Sequence, residues 1–226
     1  MRLSLSEIAE PATVRLISTA YFKPPVLKPL VDSAEELEIL AGLEGSTSRR
    51  LKAERAGLAD LDARELLFRV GGRTFVNAAF AYTRKDGNRF NDGRRGAWYA
   101  ALDDLTALEE VAWHRTRELG FIGVFEDEGV YQALIAAFIG AFPDLRPVEI
   151  RPPCLDPDPT TGYPAGQALA RELRADGAPG LIYPSVRRRG GVCLVAFQPH
   201  AVQNIRPGAR WKLIWRGSPA WTATTV

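Results

Sequence analysis

The chain has 226 residues, 46% of them hydrophobic, which is enough to bury a substantial core in one domain or one domain with an appendage. Lysine and arginine total 29 against 27 acidic residues, so the formal charge of +2 offers no general attraction to nucleic acid or to an anionic membrane. Two cysteines, Cys154 and Cys193, cannot build a disulfide framework, and a reducing cytoplasm is the expected location.

The N-terminal MRLSLSEIAEPATVRL has no apolar stretch of signal-peptide length, so a protein that is neither exported nor membrane-bound is expected. The run YFKPPVLKPLVD follows, whose Pro24, Pro25 and Pro29 predict an extended segment laid across a surface. Ser33 with Glu36 three residues on predicts a capped helix ending near Gly45, and SRRLKAERAG at 48–57 reads as another. LLFRV (66–70) and RTFVNAAFAY (73–82), separated by Gly71 and Gly72, read as two strands because they are rich in aromatic and β-branched residues.

A polar loop, TRKDGNRFNDGRRG, then leads into AWYAAL as a third strand. DLTALEEVAWHRTRELG follows as a helix stopped by Gly120, with an apolar stripe of Leu105, Leu108, Ala112 and Leu119. FIGVF (121–125) reads as a short strand, DEGVYQALIAAFIGAF as an apolar helix and RPPCLDPDPTTGYP (151–164) as a loop. AGQALARELRADG is an amphipathic helix, and GLIYPSV, VCLVAF and WKLIW read as strands. Without a regular βαβ rhythm this pattern points to α+β.

His114 and His200 are the only histidines and stand in no metal-ligand spacing. No GxSxG, GxGxxG or GxxxxGK[ST] pattern occurs, so a nucleophile elbow, a dinucleotide fingerprint and a P-loop all lack an anchor. The loop at 84–95 is more informative, since it gathers Arg84, Lys85, Arg89, Arg94 and Arg95 among glycines. Guanidinium forks match phosphate oxygens, and glycine lets backbone approach a ligand closely. Arg89, Tyr99 and Glu110 then follow one another from loop to strand to helix.

Two blocks carry a resemblance. NRFN at 88–91, AWYAA at 97–101 and TALEE at 106–110 form the first, with LFRV at 67–70 taken as its arginine strand. GLIYPSVRRRGGVCLVAFQP at 180–199 forms the second. Together they resemble the RES domain, the toxin of RES/Xre-type toxin-antitoxin systems, over about residues 66–215. Asn88 departs from the pattern, standing where many relatives carry glycine. Residues 1–65 are read as a largely helical or extended N-terminal extension packed on a RES domain of residues 66–226, as in a longer subgroup.

The resemblance implies an ADP-ribosyltransferase-like α+β fold, with two antiparallel strand clusters flanking an NAD+ cleft. It implies NAD+ as substrate, no metal, and a cognate helix-turn-helix antitoxin as partner, with a homodimer and a protein acceptor of ADP-ribose left open. Carried onto this chain, Arg69 and Arg89 would hold the pyrophosphate or the nicotinamide ribose, and Tyr99 would stack on the nicotinamide. Glu110 would act at the ribose and Ser185 would help position the dinucleotide. Arg187, in the run Arg187, Arg188 and Arg189, is either a second phosphate contact or part of a solvated turn. Glu109 is the alternative carboxylate, because it falls on the helix's apolar stripe whereas Glu110 does not. The implied activity is a toxin that cleaves the nicotinamide–ribose bond and passes ADP-ribose to a cellular protein. Transfer to water or phosphate, which depletes NAD+, is the alternative, and a noncatalytic nucleic-acid or partner-binding module is a further one.

Overall fold

The computed structural model describes residues 3–21 and 48–226, with the side chain of Tyr21 excepted. The helix expected from Ser33 and most of the proline-rich run lie outside these residues. Seven strands form one sheet in the order β1-β2-β5-β4-β3-β6-β7. They are β1 (Ser4–Ser18), β2 (Trp98–Ala101), β3 (Glu126–Asp144), β4 (Gly180–Pro184), β5 (Val192–Ala196), β6 (Gln203–Arg216) and β7 (Trp221–Thr225). Four α-helices lie among the described residues: α1 (Arg49–Ala56), α2 (Arg73–Ala81), α3 (Asp104–Ile122) and α4 (Pro159–Ala175). The fold is α+β.

The strands fall into two antiparallel clusters, β2-β5-β4 and β1-β3-β6-β7. The clusters meet twice, through the antiparallel contact Val14↔Ala101 between β1 and β2 and the parallel contact Asp144↔Ile182 between β3 and β4. Since β1 also pairs with β3 from Ser4↔Asp144 to Ser18↔Tyr131, strands β1, β2, β5, β4 and β3 close into a ring. The N-terminal strand, which precedes residue 66, is therefore part of the same sheet as the later strands.

Several elements differ from the sequence expectation. The run at 126–144 is a strand and not a helix. Its centre lies between β1 and β6 with both faces covered, so its residues are apolar almost continuously and lack the alternation of a half-exposed strand. Residues 73–81 are a helix, because Val76, Asn77, Phe80 and Ala81 share one buried face at helical spacing. LFRV forms no strand: the Leu67 backbone is held by the buried amide of Asn77, which accepts from its N–H at 3.0 Å and donates to its carbonyl at 2.9 Å. FIGVF is likewise no strand, since α3 runs on to Ile122 and stops at Gly123, whose left-handed φ of 75° suits glycine. The supposed loop at 151–164 ends early, as α4 begins at Pro159 with Asp158 as its N-cap.

Other expectations hold. Ser48 caps α1 through Leu51 N–H, and AWYAA, GLIYP, VCLVA and WKLIW are strands. Apolar clusters pack on the sheet: one under α4 around Phe90, Tyr183 and Phe197, another under α2 around Phe80, Trp98 and Phe138. A third joins Leu108, Ala112 and Leu119 of α3 to Leu213 and Trp215 of β6, with Trp211 and Trp221 against it as packing residues.

Candidate active site

Where β1 meets β2, the sheet, α3 and the loop before β2 enclose a cavity of about 360 Å³. α3 enters it from a well-made start. The Asp103 carboxylate accepts from Thr106 N–H at 2.8 Å and from the Thr106 hydroxyl at 2.7 Å, which sets the direction of the helix leaving β2. One turn on, Glu110 faces the cavity and His114 follows it by a further turn. Glu109 is half-buried and is not among the lining residues. Leu105, expected on the apolar stripe, is 48% exposed, while Thr106 and Ala107 are buried in its stead.

Glu110 is held from behind. The Ser185 hydroxyl, buried at the end of β4, donates to Glu110 Oε1 at 2.6 Å, and the Cys193 thiol lies 3.8 Å from the same oxygen. Burial and the adjacent Glu110 push the Cys193 thiol well up, so it stays protonated. Ser185 Oγ in turn accepts from the backbone N–H of Arg187 at 3.1 Å and of Arg188 at 3.0 Å. The YPSVR turn thus polarises the hydroxyl toward the carboxylate. Ser185 itself does not line the cavity.

Arg89 is buried in the wall, its Nη1 donating to the carbonyls of Cys154 at 2.7 Å and Asp156 at 2.8 Å, with its guanidinium 5.4 Å from the Tyr163 ring centre. α4 approaches this arginine through Gly162 and Gly166, where an added Cβ would run into the Arg89 guanidinium and the Arg89 carbonyl oxygen respectively. The Tyr99 hydroxyl accepts from Phe90 N–H and donates to Asn91 Oδ1, both at 2.9 Å, so the NRFN turn is clamped to β2. Burial drives the Tyr99 phenol upward and keeps it neutral. Arg187 stacks on Trp113 with its guanidinium carbon 3.3 Å from the ring centre. Its pKa falls to about 10, through burial and the nearby Arg89, which leaves it charged at neutral pH.

Of the residues expected at a site, Glu110, Arg89, Tyr99 and Arg187 line one cavity and Ser185 stands behind Glu110. Arg69 does not join them: it is exposed, with a φ of 58°, and is absent from the cavity wall. The strand arginine at the cavity is Arg15 of β1, which sequence reasoning missed. Its Nη1 donates to the Tyr99 carbonyl at 3.1 Å and its guanidinium lies 4.9 Å from the Trp98 ring centre. Burial lowers its pKa to about 10. The available signal was the alternation of Val14, Arg15 and Leu16, which is strand-like.

His114, which stands in no metal-ligand spacing in the sequence, lines the cavity, and its buried Nδ1 has no partner. Burial, reinforced by Arg84, Arg187, Arg117 and Arg89, lowers its pKa to about 4, so it is neutral at pH 7.

Charge pairing separates the arginines of the wall. Arg84 pairs with Glu118 at 2.8 Å and Arg115 with Asp127 at 2.7 Å. Arg15, Arg89 and Arg187 have no carboxylate partner within ion-pair distance among the described residues. Three unneutralised guanidiniums therefore face a space that also holds the carboxylate of Glu110, an arrangement that suits a ligand with both an anionic part and a centre of developing positive charge. No group of three or more His, Cys, Asp or Glu side chains among the described residues is placed to hold a metal, and no described helix is long and apolar enough to cross a membrane.

Fold and cavity together define an α+β protein with an arginine-walled cleft whose one carboxylate unpaired with an arginine is Glu110, among the described residues. The chain belongs to the RES-domain family, whose model matches residues 66–216, and its fold is accordingly ADP-ribosyltransferase-like. Among solved structures it is similar to a chain of the M. tuberculosis MbcT–MbcA toxin-antitoxin complex, at 18% identity and a TM-score of 0.37. That similarity covers 55% of this chain and 73% of the other. No curated protein matches the chain in sequence.

Proposed function

We propose that this chain is the toxin of a bacterial type II toxin-antitoxin system, and that it breaks the nicotinamide–ribose bond of NAD+ and transfers the ADP-ribose to a cellular protein. One observation carries the reading: Arg15, Arg89 and Arg187, none paired with a carboxylate among the described residues, face the same cavity as Glu110. In this reading the guanidiniums bind the pyrophosphate of the substrate, where planar forks and phosphate oxygens match. Tyr99, fixed at its hydroxyl by the NRFN turn, offers its ring to the nicotinamide. Departure of nicotinamide with the bonding electron pair leaves positive charge on the ribose. Glu110, oriented by Ser185, stabilises that charge most strongly at the transition state.

Family membership supports an NAD+-using enzyme in general. It further supports a helix-turn-helix antitoxin as partner and a cytoplasmic location. Protein transfer and NAD+ depletion differ only in the acceptor. Expression of wild type and Glu110→Ala in bacteria, with growth and NAD+ followed together, tests the site. Wild type alone is expected to arrest growth, and a collapse of NAD+ alongside the arrest would point to water or phosphate as the acceptor. Equal toxicity of the variant would remove Glu110 from the mechanism and make Glu109→Ala the next measurement. Lysate treated with NAD+ labelled in its adenylate half separates the acceptors. A labelled protein band is expected, whereas rapid nicotinamide release without any band would establish transfer to water or phosphate.

A further inference from the structure

A second cleft, of about 420 Å³, lies toward the C-terminal end of α4. Arg174 in its wall is eleven residues beyond Tyr163, roughly 16 Å along the helix axis from the first cavity. Four arginines line it together with Asp60 and Glu65, and the pairing is unequal. Arg94 meets Asp60 at 3.0 Å and Arg95 meets Glu65 at 2.7 Å. These pairs neutralise both lining carboxylates. Arg171 and Arg174, three residues apart on one face of α4, have no carboxylate at ion-pair distance among the described residues.

The setting is rigid. Arg95 is only 4% exposed and is further tied to the carbonyls of Asp60 at 2.9 Å and Phe197 at 2.7 Å. Gln198 is fastened to the Gly177 carbonyl at 3.1 Å. Arg174 is half-buried beside Arg95, and burial together with that second cation lowers its pKa, while Glu65, Asp60 and Asp92 act on it from a distance in the opposite sense. A half-buried cation facing another cation is an unfavourable arrangement that an anion would relieve.

We infer that this cleft is a second ligand site, in which Arg171 and Arg174 bind the dianionic phosphate of a small phosphomonoester against a floor that includes Phe197 and Ala178. Two uncompensated positive charges match the two negative charges of a phosphomonoester, and the volume leaves room for its organic part. The inference does not depend on what the first cavity does.

Ribose 5-phosphate is the probe, titrated by calorimetry into the full chain carrying Glu110→Ala so that the protein can be produced. Binding is expected, weakened at least tenfold by Arg174→Gln and at least threefold by Arg171→Gln, and changed less than twofold by Arg187→Gln in the first cavity. Arg171 is exposed, so its replacement reports on the cleft even if Arg174→Gln fails to fold. No binding, binding equal in Arg171→Gln and the parent, or loss in Arg187→Gln alone would each overturn the proposal. Plain ribose binding as well as its phosphate would overturn it too.

Discussion

Replacing Ser185 by alanine removes one hydrogen atom's worth of control over Glu110. The lost contact is an O–H donor to a carboxylate at 2.6 Å, and the hydroxyl oxygen itself accepts from two backbone N–H groups. Hydrogen bonds to charged groups contribute about 1.5–3 kcal/mol. If that energy serves to aim the carboxylate at the transition state, kcat for NAD+ consumption falls roughly 10- to 150-fold at one factor of ten per 1.36 kcal/mol. KM for NAD+ stays within about twofold, because Ser185 lies behind Glu110 and outside the cavity wall. Steady-state nicotinamide release, measured on protein shown by circular dichroism to be folded, decides the matter. A KM that rises while kcat holds would mean that Ser185 grips the dinucleotide directly, and an unchanged kcat would mean that the hydrogen bond does nothing for catalysis.

Arg15→Met should raise thermal stability while weakening NAD+ binding at least tenfold, since it removes a desolvated cation that no described carboxylate neutralises. A gain of about 1 kcal/mol corresponds to a rise in Tm of about 2–4 °C for a chain of this size, and a lower Tm with intact binding would contradict the assignment. Gly166→Ala should push α4 off the Arg89 backbone, costing about 1–3 kcal/mol in urea unfolding and most of the activity. His114 makes stability depend on pH. Its folded pKa of about 4 lies below the ordinary 6.5, so the unfolded chain takes up the proton first as pH falls, and stability is lost between those two values by about 3 kcal/mol. The wild-type minus His114→Gln difference in unfolding free energy should therefore be flat above pH 7 and decline toward pH 4.

What was legible in the sequence was local. NRFN, AWYAA, TALEE and YPSVR each hold their geometry through short-range contacts, such as the Tyr99 hydroxyl to Phe90 and Asn91 or the Asp103 cap on Thr106, and the residue types alone point to that chemistry. What was not legible depends on partners far away. The 126–144 run is a strand because β1 and β6 cover it, and its continuous apolar character is equally compatible with a buried helix. α2 carries β-branched and aromatic residues that favour a strand locally, and packing of Phe80 and Val76 beneath it overrides that preference. Arg15 was passed over for Arg69 because its place beside Tyr99 is a pairing across 84 residues.

The ring of strands has a consequence in time. Its closing contacts join Val14 to Ala101 and Ser4 to Asp144, and β5, which carries Cys193 behind Glu110, is the last of the ring's five strands to be made. Contacts so distant along the chain slow folding, because a long loop must close before any pairing stabilises it. A ribosome must therefore emit the chain through Ser185 before Arg15, Glu110 and Ser185 can meet. A chain that stops short of β4 carries Arg15, Arg89 and Glu110 and none of the cleft, so the proposed site forms late and all at once.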